Sequence, residues 1–235
     1  MLNAKYQYNE QQHSGVDFSN IDEVKAYDSY MQKLRDIKLE VERIKKAIDL
    51  GPNDTVLDIG TGTGELAAEL ALYCKNVFAI DISQEMLEYA AQKAEQRNLH
   101  NISFQHRGFL TCQFANESLD AIISQFVLHH LPEFWKFIAL KKVYSMLKIG
   151  GKFYLQDTVF SSEVDDYDKF FSNAISQIEI AAGDQAARGT ETTIKDEFPT
   201  LDWILEGLLN KIGFSIIQVE YSPPFIGTYV CIKKG

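Results

Sequence analysis

Residues 56–67 read Val-Leu-Asp-Ile-Gly-Thr-Gly-Thr-Gly-Glu-Leu-Ala, and no other stretch limits the possible folds so sharply. A compact apolar run breaks into glycines at alternate positions and then resumes in helix-forming residues. Glycine reaches positive φ without strain and lets a backbone approach a ligand with no Cβ in the way. Gly60, Gly62 and Gly64 therefore suit a tight strand-to-helix turn against a bound nucleoside. The next apolar run, 77–80, closes on Asp81, whose two carboxylate oxygens match the two hydroxyls of a ribose.

Spacing selects among ligands. The dinucleotide fingerprint G-x-G-x-x-G would put its third glycine where Glu65 stands, so a pyrophosphate would meet a carboxylate. That weakens a nicotinamide-dependent oxidoreductase. A phosphate-cradling loop needs Lys followed by Ser or Thr after its last glycine, and this turn carries no cation. What remains is a nucleoside without phosphates that brings positive charge toward Asp58 and Glu65. S-adenosylmethionine, with its sulfonium and ammonium groups, fits that description.

Helix and strand signals alternate along the chain. Leu34, Ile37, Val41, Ile44 and Ile48 recur at helical spacing up to the stop at Gly51-Pro52. Residues 56–59, 77–80, 102–105, 121–124 and 152–157 read as strands, with helices over 65–73 and, capped by Ser83, to about Arg97. Such alternation implies a parallel sheet with helices on both faces and a ligand crevice at the carboxyl ends of the strands. Gly60, Asp81, Ser124 and Asp157 fall at such ends. Phe170, Phe171, Ala174, Ile175 and Ile178 then form a helical stripe, followed by a polar, glycine-bearing stretch at 183–193. An insertion of this length on the ligand side suits a lid. An amphipathic helix from Leu201 to the stop at Gly213 precedes two strands whose turn is marked by Pro223-Pro224.

These features together resemble the class I S-adenosylmethionine-dependent methyltransferases. Four segments match in family order: Asp58-Ile-Gly-Thr-Gly-Thr-Gly64, the acid Asp81, Asp120-Ala-Ile-Ile-Ser-Gln-Phe-Val-Leu-His-His-Leu-Pro132, and Leu147-Lys-Ile-Gly-Gly-Lys152 as a turn before the next strand. The resemblance runs from about Thr55 to Gln156 and extends to the final helix and strand pair. It implies an α/β, Rossmann-like fold: a mostly parallel seven-stranded sheet with an antiparallel C-terminal strand. It also implies S-adenosylmethionine as cofactor, in a domain over 51–235 preceded by a helical cap segment, 1–50, with 160–198 as the lid-like insertion. The chain departs from the family after the third strand, where many members carry Gly-Asp and this one carries Gly108-Phe109. Backbone groups at 108–110 are left to meet the base edge.

Composition narrows the acceptor. A formal charge of −10, with Asp and Glu outnumbering Lys and Arg by 33 to 23, opposes a sequence-independent grip on phosphate backbones. A small-molecule acceptor is expected, with an RNA or protein methyltransferase less favoured. A catalytically silent cofactor-binding regulatory protein is the alternative from another class. Three cysteines without a C-x-x-C pair suggest neither a disulfide framework nor a zinc site. The amino-terminal residues lack a signal-like apolar stretch and no later run is long enough to cross a bilayer, so a cytoplasmic protein is expected.

The cofactor is expected to meet Asp58, Gly60, Thr61, Gly62, Gly64 and Asp81, with Ile82 and Met86 on the adenine faces, Gly108 and Phe109 at its edge, and Ser124 and Gln125 beyond the fourth strand. Asp58 has a bland alternative, holding the turn's own amides. Methyl transfer from a sulfonium disperses positive charge, so alignment in a dry pocket matters most and no metal is required. A base of near-neutral pKa helps a hydroxyl or activated-carbon acceptor, and His129 or His130 is the nearest candidate. The competing reading is a histidine pair bonded to backbone at a helix entrance. The aromatics Tyr6, Tyr8, His13, Phe18, Tyr27 and Tyr30 suit a substrate cover, although Tyr27 and Tyr30 equally suit helix packing. Tyr6, Tyr27, Tyr30, Asp157 and the cations Arg35 and Arg188 complete the acceptor candidates, a lone Arg being more often a surface pairing.

Overall fold

The structure is a computed structural model that describes residues 5–11, 21, 24–25, 27–28, 31, 35–161 and 163–235. His13, Phe18, Tyr30 and Leu34 lie outside the described residues. Five parallel strands carry the sheet: β1 (Thr55–Ile59), β2 (Asn76–Asp81), β3 (Ile102–His106), β4 (Leu119–Gln125) and β5 (Leu147–Phe160). The helices among them are α1 (Ile37–Ile48), α2 (Glu65–Leu70), α3 (Gln84–Gln96) and α4 (Glu133–Met146). Beyond β5 come α5 (Tyr167–Ala182), α6 (Asp184–Asp196), the two-residue β6 (Thr200–Leu201), α7 (Asp202–Ile212), β7 (Phe214–Ser222) and β8 (Ile226–Lys233).

The strand order is β3-β2-β1-β4-β5-β8-β7, with β6 pairing the end of β5 off this path. β8 runs antiparallel to both β5 and β7, as the family resemblance implies. Successive residues of a strand point to opposite faces, and here both faces are covered. Leu57, Ile59 and Ile122 join one core with Leu140, Val143 and Leu209, while Val56, Ala121 and Ile123 join another with Val41, Ile44 and Leu70. Fully burying one such side chain contributes about 1.5–3 kcal/mol. The chain order reverses between β1 and β4, the switch point at which open α/β sheets hold ligands.

Local chemistry accounts for the boundaries. Asp36 caps α1 by accepting from Leu39 N, and Ser83 caps α3 by accepting from Met86 N at 3.1 Å. Gly213 ends α7 at φ +116°. Three expectations need revision. The second helix ends at Leu70, because residues 71–75 turn the chain into β2, where Lys75 N and Asn76 N donate to Asp54 O. Residues 147–152 belong to β5: Leu147 pairs with Leu119 before a register shift brings Lys152 opposite Ala121. The polar stretch at 183–193 is largely α6, set off from α5 by Gly183 at φ +87° and packed back against it. No helix among the described residues is long and apolar enough to cross a membrane.

Candidate active site

The three glycines do different jobs. Gly60 (φ +75°) lies so close to the segment after β4 that an added Cβ would stand 2.1 Å from Val127 Cγ2, and at Gly64 (φ +76°) it would stand 2.7 Å from Ala90 Cβ. Those two allow packing. Gly62 (φ +53°) has nothing within 4 Å of a hypothetical Cβ, so it fronts open space at the switch point. Its N–H donates to Asp81 Oδ2 and Ser83 N donates to Oδ1, each at 2.8 Å. The acid at the end of β2 thus braces the turn, and its two oxygens keep acceptor capacity beyond these amides. Burial raises the pKa of Asp81, opposed by those amides.

Three buried oxygens near this point have no hydrogen-bond partner among the described residues: Asp58 Oδ2, Thr61 Oγ1 and Ser124 Oγ. Ser124 pairs in register with Ile59, so the orphaned groups flank the β1–β4 junction. Buried polar atoms in folded proteins are nearly always satisfied, and a polar nucleoside ligand fits this set. Burial, opposed by the neighbouring Thr61 hydroxyl and by Arg35 and reinforced by the charge of Asp81, pushes the Asp58 carboxyl up to about 6. Glu65 does not serve as a counter-charge for a cationic ligand, because Lys93 already pairs with it.

The loop after β3 is organised by a residue that the sequence reading overlooked. Glu10 is buried, and its carboxylate accepts from Leu110 N (2.9 Å), Thr111 N (2.8 Å) and Thr111 Oγ1 (2.7 Å). Gly108 N donates to Thr111 Oγ1 at 2.8 Å, so the amides of Gly108, Leu110 and Thr111 are internally engaged. A Cβ on Gly108 would approach the Glu10 carboxyl to 2.6 Å and Ile82 Cγ2 to 2.8 Å. An acid therefore stands beside Ile82 in the neighbourhood where Phe109 replaces the family's aspartate. Phe109 itself is packed into the core, as is Met86.

Other amino-terminal residues reach the same strand ends. Asp28 accepts from Thr63 Oγ1 at 2.6 Å and from Lys93 Nζ at 2.9 Å, tying the segment to the glycine turn. Tyr8 donates to His130 O at 3.4 Å and meets Phe198 edge-on. Arg35 pairs with Glu40 and donates to Gln125 Oε1 at 2.8 Å; Gln125 Nε2 donates in turn to Gln156 Oε1 at 2.9 Å. Tyr27 is half-buried near Arg35, whereas Tyr6 is 85% exposed. Arg188 pairs with Asp184 on its own helix, its side chain 73% exposed.

At the ends of β4 and β5 the histidines meet two carboxylates. Leu128–His130 form a 3-10 turn that buries His129. Its Nδ1 lies in a short contact with Asp157 Oδ1, and its Nε2 lies 3.2 Å from Glu197 Oε2. His130 Nδ1 lies 3.5 Å from Glu197 Oε1. Burial lowers the pKa of His129, but the Asp157 and Glu197 carboxylates outweigh it and raise it to about 9. The two carboxylates thus favour the charged ring where no other cation lies between them, whereas the sequence suggests a base of near-neutral pKa. Asp157 also accepts from His129 N at 3.2 Å and from Thr158 N at 2.7 Å. Glu197 went unnoticed in the sequence because it ends a polar stretch with no periodicity of its own.

A cavity of about 450 Å³ opens beyond β5, lined by Val159, Phe170, Ala174, Tyr221, Phe225 and Ile226 among others.

Comparison with known proteins agrees with this architecture. A model of the methyltransferase domain family matches residues 56–151. An uncharacterized methyltransferase of Bacillus cereus is 32% identical over 195 residues, covering 81% of this chain and 85% of the relative. Among solved structures, an S-adenosylmethionine-dependent methyltransferase from Aquifex aeolicus superposes with a TM-score of 0.63 at 19% identity, over 91% of this chain and 98% of that one. Magnesium protoporphyrin IX methyltransferase from Synechocystis, solved with bound S-adenosylhomocysteine, superposes with a TM-score of 0.62 at 16% identity, over 96% and 91% of the two chains. With the bracing acid, the open glycine and the orphaned oxygens at the switch point, the chain belongs to the class I S-adenosylmethionine-dependent methyltransferases.

Proposed function

We propose that the methyl acceptor is a small molecule, taken up between the ends of β4 and β5, the amino-terminal segment and the insertion at 160–198. What supports a small acceptor is the cavity of about 450 Å³ between α5 and the β7–β8 turn, which borders the end of β5 and the insertion but is lined by no residue of β4 or of the amino-terminal segment. Its volume falls in the range of about 300–1,000 Å³ usual for small-molecule sites, and its aromatic lining suits an acceptor with an apolar body. The net charge of −10 supports the same reading against nucleic acid. Three buried, unpaired thiols support a reducing, cytoplasmic setting.

The cofactor supplies an electrophilic methyl group on a sulfonium, and the protein's task is orientation and exclusion of water. In this reading Asp81 takes the ribose hydroxyls on its remaining lone pairs, Gly62 admits the ligand backbone-close, and Asp58, Thr61 and Ser124 offer their orphaned oxygens to its polar end. Ile82 and Met86 border the base, and Glu10 supplies the edge acid missing after Gly108. Residues 1–50 act as a cap and 160–198 as a lid. His129 acts as a positioning residue, its ring held between Asp157 and Glu197 beside the acceptor.

The experiment offers methyl-labelled S-adenosylmethionine with small-molecule, protein and RNA fractions in separate reactions. Label should enter the small-molecule fraction. Phe170→Trp, which fills the cavity, should cut that transfer roughly tenfold while S-adenosylhomocysteine affinity stays within about twofold. Transfer confined to RNA or protein overturns the proposal.

A further inference from the structure

Glu197 reaches the turn after β4 because the chain leaving α6 is anchored there. Phe198 N donates to His129 O at 2.8 Å, and the buried Lys136 Nζ donates to Phe198 O at 2.5 Å. The Glu197 side chain, 4% exposed, is thereby pressed against two adjacent imidazoles. One donor atom from each of His129, His130 and Glu197 can be chosen so that all lie within 4.8 Å of one another. His129 Nε2 is 3.2 Å from Glu197 Oε2, a contact that draws the two groups together as charges, but this buried oxygen has no well-formed hydrogen bond among the described residues.

The other face of His129 makes that arrangement informative. Asp157 holds Nδ1, so a neutral ring donating there turns the lone pair of Nε2 toward a carboxylate. Two acceptors then face each other, a conflict resolved either by a second proton on the ring or by a metal ion between the two groups. Asp157 and Glu197 bring two negative charges, against which Lys136 brings one positive charge that it shares with Glu133. Zinc binds imidazole nitrogen and carboxylate oxygen at about 2.0–2.2 Å in a tetrahedron, which sets neighbouring donor atoms roughly 3.4 Å apart. Nε2 of His129 is 3.2 Å from one Glu197 oxygen and Nδ1 of His130 is 3.5 Å from the other, and one donor atom per residue can be chosen with all three within 4.8 Å, so small side-chain shifts close the set around an ion. An outer carboxylate on the far nitrogen of a ligating histidine, as Asp157 stands to His129, fixes the tautomer and raises the basicity of such a ligand.

We propose that His129 Nε2, His130 Nδ1 and the Glu197 carboxylate form a binding site for a divalent transition ion, zinc foremost. Two imidazoles and one carboxylate leave a fourth position for water or a heteroatom of the acceptor. The ion would also tie the end of α6 to the turn after β4. This inference stands apart from the identity of the acceptor.

The test is a zinc titration of the chelator-treated, tag-free full chain near neutral pH, in competition with a chromophoric chelator. One equivalent should bind, and Glu197→Gln and His130→Ala should each weaken binding by at least about tenfold, with Asp157→Asn costing roughly 10–100-fold. Cobalt on the unaltered chain should give the visible absorption of a tetrahedral nitrogen–oxygen site without a thiolate charge-transfer band, a readout that survives if a variant fails to fold. The proposal is overturned by absence of binding at about micromolar zinc, by unchanged affinity in both variants, or by nitrogen shifts showing both ring nitrogens of His129 protonated with one equivalent of zinc present.

Discussion

At the scale of single residues, the glycine turn separates fold from binding. Gly60 and Gly64 share positive φ with Gly62 but abut side chains, whereas Gly62 faces open space. Gly60→Ala adds a clash with Val127 to the backbone cost and should destabilise the protein by roughly 3 kcal/mol or more in denaturant unfolding. Gly62→Ala carries only the left-handed backbone cost of about 1–2 kcal/mol, yet it should weaken S-adenosylmethionine binding in calorimetry more than any comparable loss of stability explains. Equal effects of the two substitutions on cofactor affinity would argue against an open ligand face at Gly62. On the other strand Phe126, between Gln125 and the Val127 that crowds Gly60, is also in the left-handed region, at φ +58°. A bulky residue held there costs on the order of 1–3 kcal/mol and persists only where its surroundings dictate it.

At the scale of elements, the amino-terminal segment is stitched to the sheet through acids: Glu10 to the loop after β3 and Asp28 to the glycine turn. Glu10→Ala should leave the secondary structure intact while speeding amide exchange at Leu110 and Thr111, since hydrogen bonds to a charged acceptor are worth about 1.5–3 kcal/mol each. Unchanged protection at those amides would mean that the loop is rigid without its acid. The five parallel strands and the caps Ser83 and Gly213 were legible in sequence, because apolar runs, alternation and cap residues are local signals. Asp81 and Ser124 were legible as strand ends, whereas β5 continues past Asp157 to Phe160, held there by its pairing with β8 and β6. Glu10 and Glu197 were not, since each acts on partners remote in sequence; Glu10 and Leu110 are separated by 100 positions. The only hint of Glu10 was a missing acid after Gly108. The charge environment of His129 was hidden for the same reason: Asp157 and Glu197 raise its pKa, and no window around the histidine contains them.

At the scale of the whole molecule, cofactor binding and fold stability are linked, because the turn, β2 and the end of β4 belong to one sheet. A ligand at a hundred times its Kd stabilises the native state by about 2.7 kcal/mol, which for a domain of this size is a rise in Tm of roughly 5–10 °C. S-adenosylmethionine should produce that rise in thermal unfolding, and NAD should not. An equal response to NAD would contradict the phosphate-free crevice read from Glu65 and the glycine spacing.

The position of β8 between β5 and β7 has a consequence for biosynthesis. The strand that joins one flank of the sheet to the rest is also the last strand in sequence, so β7 emerges from the ribosome with no neighbour to pair with. The glycine crevice can assemble on the nascent chain from β1, β2 and β4, whereas the wall formed by β5, β7 and the Pro223-Pro224 turn waits for translation of residues 226–233.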